Sequence, residues 1–82
     1  YITIEPNTYE IDGAMNIDEA NDQLDLNIPE GDYETIAGFV LENFQKIPSV
    51  GDKTSYGNLR ITINDIDGSR ISKVRIRKRQ EE

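Results

Sequence analysis

The sequence contains no cysteine, no histidine and no tryptophan. Without cysteine it forms no disulfide and offers no thiolate nucleophile. Without histidine it lacks the commonest general base, and the two absences together leave no ligand set for a structural zinc site. No apolar run approaches the length of a membrane span, and no signal-peptide pattern opens the chain. The six glycines are scattered, and none opens a helix after a strand in a phosphate-binding pattern. The serines at 49, 55, 69 and 72 have no histidine to activate them. These gaps point away from an enzyme: no catalytic and no metal-ligating residue is expected, no cofactor is assigned, and cofactor-binding residues are left unassigned.

Basic residues are scarce as well, except at one end. Of 82 residues, positions 1–69 hold Lys46, Lys53 and Arg60 against fourteen carboxylates, a net of −11. Positions 70–82 hold six basic groups against Glu81 and Glu82, a net of +4. A nucleic-acid binder normally carries a basic face on its body, and here the body repels phosphate, so no nucleic-acid partner is expected. The asymmetry instead suggests that the basic end meets an acidic surface or an anionic lipid.

What is present reads as one small domain over residues 1–82, with room for a single core and none for a second lobe. Beginning at Tyr1, directly in strand-like alternation, it reads as a piece of a longer protein. Tyr1–Ile4 and Thr8–Ile11 alternate polar and apolar residues, with Pro6-Asn7 between them. Asn16 then fits an N-cap with Glu19 at the third helical position, and Ile17, Ala20 and Leu24 recur at helical spacing before Pro29. A second helix follows a cap at Asp32 or Thr35. Its expected face is Ile36, Ala37, Val40, Leu41, Phe44 and Ile47, and Pro48 stops it. Gly38 sits inside this helix, where glycine costs about 1 kcal/mol against alanine. A close approach by the sheet or the first helix would explain it.

The last third reads as a hairpin around a two-residue Gly68-Ser69 loop, Gly68 being the structural glycine of the turn. Pairing Asp67 with Arg70 sets Ile66 opposite Ile71, Ile63 opposite Val74 and Ile61 opposite Ile76. This register predicts no bulge. It places Leu59, Ile61, Ile63, Val74 and Ile76 on the core face. Ile66 and Ile71 fall on the other face with Arg60, Lys73, Arg75 and Arg77. That mixed apolar and basic face is the candidate interaction surface, for a second copy or for neighbouring domains. The fold class expected is α+β: an antiparallel sheet with two short helices packed on one face.

Other clusters carry less. Asn64–Gly68 resembles a calcium loop, but that loop would need ligands at Ile63 and Val74, both core positions. The carboxylates Asp12, Asp18, Glu19, Asp22 and Asp25 read as cap and solvent-facing groups rather than a cation site. Asp65 and Asp67 are close in sequence without any other sign of an acid–base site. Tyr33, Phe39, Phe44 and Tyr56 are either plain core or the walls of an apolar ligand pocket.

Several segments taken in order resemble one family. Tyr-x-Ile-Asp-Gly is followed by Ile-Asp-Glu-Ala-Asn and Leu-Asp-Leu-Asn-Ile-Pro. Next come Asp-Tyr-Glu-Thr-Ile-Ala-Gly-Phe-Val-Leu, Ile-Pro-x-x-Gly-Asp, Tyr-Gly-Asn-Leu-Arg-Ile and a Val-Arg-Ile-Arg ending. Over residues 8–79 the pattern resembles the CorC/HlyC transporter-associated domain. It departs at Ala14-Met15-Asn16, where relatives often carry a basic, proline-bearing turn. The resemblance implies a cytoplasmic domain that follows a transmembrane region and a CBS pair, on the inner face of the plasma membrane. The parent proteins are associated with magnesium and cobalt efflux or are hemolysin-like. It further implies a non-catalytic regulatory module whose partners are the CBS pair or a second copy. The alternative it leaves open is a flavin or adenine-nucleotide binding domain, by analogy of fold.

Overall fold

The computed structural model describes residues 1–79. Five strands form one antiparallel sheet: β1 (Ile2–Glu5), β2 (Thr8–Asp12), β3 (Lys53–Tyr56), β4 (Leu59–Asp67) and β5 (Arg70–Lys78). Their spatial order is β1-β2-β5-β4-β3. Two helices, α1 (Ile17–Leu24) and α2 (Ile36–Phe44), lie between β2 and β3 in sequence. The core gathers Ile11 from β2, Ile61 and Ile63 from β4, and Val74 and Ile76 from β5 against Ile36, Phe39 and Val40 of α2. This is the α+β architecture that the periodicities imply. β3 went unread in the sequence because Lys-Thr-Ser-Tyr has no apolar alternation, as suits a short edge strand.

Both helices begin where the sequence signals place them. Asn16 caps α1, its Oδ1 accepting from the Asp18 N–H at 2.8 Å, and Thr35 caps α2, its Oγ1 accepting from the Gly38 N–H at 3.2 Å. The two caps also form an antiparallel bridge, with Ile17 N–H donating to Glu34 O and Ile36 N–H to Met15 O. The helix starts therefore fix each other. α2 ends earlier than Pro48 suggests, because Gln45 takes a left-handed φ of 59° and its N–H closes on Leu41 O. Ile47 thus lies outside the helix. The buried stripe narrows to Ile36, Phe39 and Val40, leaving Leu41 40% and Ile47 62% exposed. Both residues are expected on the buried face from the spacing, which leaves out Phe39, an i+3 partner of Ile36.

The hairpin register is as the sequence requires: Ile61 faces Ile76, Ile63 faces Val74, Ile66 faces Ile71 and Asp67 faces Arg70. Gly68 takes φ 66°, the left-handed geometry that the first position of such a loop demands. The expectation of an unbulged ladder fails. Asp65 pairs with Lys73, so Asn64 is an extra residue on β4 and Ser72 an extra residue on β5. The two irregularities cancel in register, which is why the pairs on both sides of them agree with a bulge-free count. They do not cancel in facing. Each one turns its own strand by one side-chain phase, and Ile71 is buried at 4% exposure while Ile66 packs half-buried against the core. Burying an isoleucine contributes about 1.5–3 kcal/mol, more than one lost ladder hydrogen bond costs. Ile66 and Ile71 therefore leave the candidate interaction surface.

Gly38 does adjoin a close approach, though not from the sheet or from α1. A Cβ there would meet the Tyr33 Cβ at 3.0 Å. Tyr33 is held by its hydroxyl, which donates to Pro29 O at 2.6 Å, and by its edge-to-face contact with Phe39 at 5.2 Å. Partial burial raises the Tyr33 hydroxyl above its usual pKa, and the Tyr56 and Glu42 charges add to this, so it stays a neutral donor. Gly38→Ala should lower stability by about 1 kcal/mol, because overpacking against an anchored neighbour outweighs the alanine propensity gain in a first turn. Thermal melting checks this. A raised melting temperature would mean that Tyr33 yields.

Candidate functional site

The helices cover one face of the sheet, and among the described residues no element covers the other. Alternation along the strands decides what that outer face presents. From the register, one row across it is Ile2, Glu10, Arg75, Thr62 and Lys53, and the next is Glu5, Thr8, Arg77, Arg60 and Ser55. Arg60, Arg75 and Arg77 are exposed, as is Lys73 further along β5. Ile2 is 61% exposed at the β1 edge, and Ile4 sits at the irregularity of that strand. The four basic residues of the sequence-based interaction set thus share this face, whereas its two isoleucines, Ile66 and Ile71, belong to the core. The apolar area on the outer face comes from β1 instead. The signal was present in the alternation of Tyr1–Ile4, but the partner strand that fixes its facing is not adjacent to β5 in sequence.

Charge on this face is balanced toward the hairpin, where Glu10 faces Arg75 and Asp12 and Asp65 face Lys73, but not at Arg60 and Arg77. Arg60 and Arg77 are direct cross-strand neighbours. Like charges so placed repel. Among the described residues the one ion pair is Lys78 Nζ with Asp25 Oδ2 at 3.9 Å, and Lys78 also donates to Leu24 O at 3.2 Å. That ammonium is turned toward the helix layer, leaving the arginines to face solvent. Glu10 Oε2 accepts from Asn64 Nδ2 at 3.0 Å. At the end of the face away from the β4–β5 turn, Pro6, Asn7, Arg60, Arg77, Lys78 and Arg79 line a cleft of about 420 Å³. Thr8, opposite Arg77, is buried with its hydroxyl unpartnered among the described residues.

The remaining candidates have structural duties. Asp12 Oδ1 accepts from Ala14 N–H at 2.9 Å, Asp18 and Glu19 occupy the first turn of α1, and Asp25 is its left-handed C-cap. Asp65 and Asp67 face Lys73 and Arg70 across the hairpin end. Among the described residues no three carboxylates converge as a metal site. Phe39 lies between Tyr33 and Tyr56, ring centroids 5.2 and 5.3 Å away, so these aromatics fill one another's space. Two residues that the sequence reading passed over prove central. Asn21 clasps Ile28 with two 2.8 Å hydrogen bonds, pinning Leu26 and Ile28 into the core. Gly13 donates to Ser72 O at 2.8 Å and accepts from Ala37 N–H at 2.9 Å, joining hairpin, β2 and α2.

The family model of the CorC_HlyC transporter associated domain matches residues 2–80. The chain belongs to this family. The transporter-associated domain from a Xylella fastidiosa hemolysin, solved in complex with Mg²⁺ and Mn²⁺, superposes with a TM-score of 0.81 at 34% identity, covering 96% of both chains. Among curated proteins, a UPF0053 protein of Synechocystis is 42% identical over 74 residues, 85% of this chain. The UPF0053 inner membrane protein YfjD of Escherichia coli is 33% identical over 66 residues, 80% of this chain. The polyamine export protein of E. coli is 36% identical over 70 residues, 83% of this chain. The transporter-associated domain spans only about 16% of such relatives, 16% of the first, 15% of the second and 16% of the third. No helix of the described residues is long and apolar enough to cross a membrane.

Proposed function

We propose that this domain is a non-catalytic interaction module on the cytoplasmic side of an inner-membrane transport protein, where it docks on the parent's preceding cytoplasmic domains and adjusts transport. The observation that carries this reading is the uncovered outer face of the sheet. Basic groups cluster there on an otherwise acidic domain, with exposed isoleucine at one edge. Arginine beside apolar area is the composition enriched at protein interfaces. Membership of a family whose relatives include an inner membrane protein and an export protein supports the membrane context. The transported species belongs to the parent protein. Relatives differ in what their names assign, polyamine export for one and Mg²⁺ and Mn²⁺ in the solved complex of another.

The test is calorimetric titration of this chain into the rest of the parent's cytoplasmic part. Saturable binding is expected, weakening with salt because exposed charges are screened over about 8–10 Å at physiological ionic strength. Ile2→Asp with Arg75→Glu should weaken it at least tenfold without changing the domain's own melting. No binding, together with unchanged transport after the domain is deleted, would overturn the proposal. Self-association detected by sedimentation and lost in the same variant would make a second copy the partner.

A further inference from the structure

The cleft at the end of the outer face away from the β4–β5 turn has a feature that docking alone does not require. Arg60 and Arg77 stand directly opposite each other, and Arg79, next but one along the strand direction from Arg77, lines the same cleft. A second groove of about 430 Å³, lined by Lys53, Ser55, Gly57, Arg60 and Arg79 among others, meets the first at Arg60 and Arg79. Such a set repels itself, and among the described residues no carboxylate lies within ion-pair distance of any of its arginines. The backbone beneath is fixed. Lys78 N–H donates to Asn7 O at 2.8 Å, Arg79 N–H donates to Asn58 O at 2.8 Å, and Asn58 Nδ2 returns a bond to Arg79 O at 3.4 Å. The strand end is thereby held on both sides, so the arginines project from a rigid base into a cleft of small-ligand size.

We infer that this cleft is a binding site for a phosphate-bearing anion, held by Arg60, Arg77 and Arg79. Three guanidinium groups around one cleft offer more paired donors than a single carboxylate can use, whereas a phosphate presents three or more acceptor oxygens and a charge near −2. Bound anion would relieve the Arg60–Arg77 repulsion, so the site couples binding to local stability. The net charge of the domain, −7, sets a second property. Its acidic body disfavours long polyanions and leaves compact ones, a phosphorylated small molecule or a phosphorylated lipid headgroup, as the fitting class. The site shares Arg60 and Arg77 with the docking face, yet it stands if the docking proposal fails, since the chain is tested by itself.

The experiment titrates the 82-residue chain with inorganic phosphate, with inorganic pyrophosphate, and with phosphatidylcholine vesicles containing or lacking phosphatidic acid. Amide shifts in NMR at Asn7, Arg77, Lys78 and Arg79 report the site. Saturable binding to at least one anionic probe is expected, falling as salt rises. Arg60→Gln with Arg77→Gln should weaken it at least tenfold, and Arg75→Gln, on the same face but outside the cleft, should change it less than twofold. The double variant should melt at or above the wild-type temperature in low salt, since it removes a like-charge pair. If it melts lower, Arg60→Lys with Arg77→Lys, which keeps charge and loses the planar fork, must still show at least threefold weaker binding. Binding of pyrophosphate without preference for phosphatidic acid identifies a soluble ligand, and the reverse identifies a headgroup. Absence of saturable binding to every probe, or equal binding by wild type and both double variants, overturns the inference.

Discussion

Gly13→Ala should destabilise the domain by about 3 kcal/mol, the upper end of what overpacking usually costs. A Cβ at this position would overlap the Ile71 carbonyl oxygen and come within 3.1 Å of the Ala37 Cβ and 3.2 Å of the Ile71 carbonyl carbon. Two of these atoms are backbone, and that backbone cannot step aside cheaply. Gly13 N–H is bonded to Ser72 O, and its carbonyl is bonded to Ala37 N–H. Moving the strand breaks the first bond, and moving α2 breaks the second. The opposing effect is small, since alanine restricts the unfolded chain by about 0.4–1 kcal/mol relative to glycine. For a domain of this size the net loss corresponds to a fall of roughly 15 °C in melting temperature. The loss should exceed that of Gly38→Ala about threefold, because the neighbour at Gly38 is one tyrosine side chain rather than backbone beside two hydrogen-bonded anchors. Chemical denaturation of both variants checks the order, and an unchanged midpoint for Gly13→Ala would show that the junction is loose.

The same junction explains what the sequence could and could not disclose. Helix starts were legible because Asn16 and Thr35 act on their own first turns, a local interaction over three residues. The hairpin register was legible because apolar pairs and a two-residue loop over-determine it. The facing of Ile66 and Ile71 was not. Their phase slip has two solutions, an outward pair without bulges or an inward pair with two bulges, and nothing local separates them. The choice is made by what lies across the fold: Gly13, just past the end of β2, offers its N–H to Ser72 O, the extra residue of β5. Tertiary context likewise decides that Gly13, at a strand end where glycine is unremarkable, matters more than Gly38 in a helix. As for the candidate site, alternation set Arg60, Lys73, Arg75 and Arg77 on one face, since they lie on strands of certain phase, without saying what that face binds. Its cleft was hidden, because it needs Pro6 and Asn7 brought beside Arg79 by the pairing of β2 with β5.

Phe39→Ala should cost about 3–5 kcal/mol, the range for removing a buried aromatic side chain. The expected stability of an 82-residue domain is about 4–12 kcal/mol, so this one change removes between roughly a quarter and the whole of it. Phe39 is 2% exposed and belongs to the central cluster with Ile36 and Val40. Its ring also bridges two outer elements: Tyr33, on the segment before α2, and Tyr56, on the edge strand β3. Each edge-to-face contact contributes about 0.5–1.5 kcal/mol beyond area burial, so both elements should loosen along with the core. Phe39→Leu keeps much of the volume and loses the two ring contacts, and its cost should fall between wild type and alanine. The chain has no tryptophan, so near-ultraviolet dichroism reads tyrosines and will report directly whether Tyr33 and Tyr56 lose their fixed packing. Urea titration gives the free energies. A loss below about 1 kcal/mol for Phe39→Ala, with the tyrosine signal retained, would mean that the three rings enclose slack space. An aromatic slot able to take a flat ligand would then exist where the packed rings now leave none.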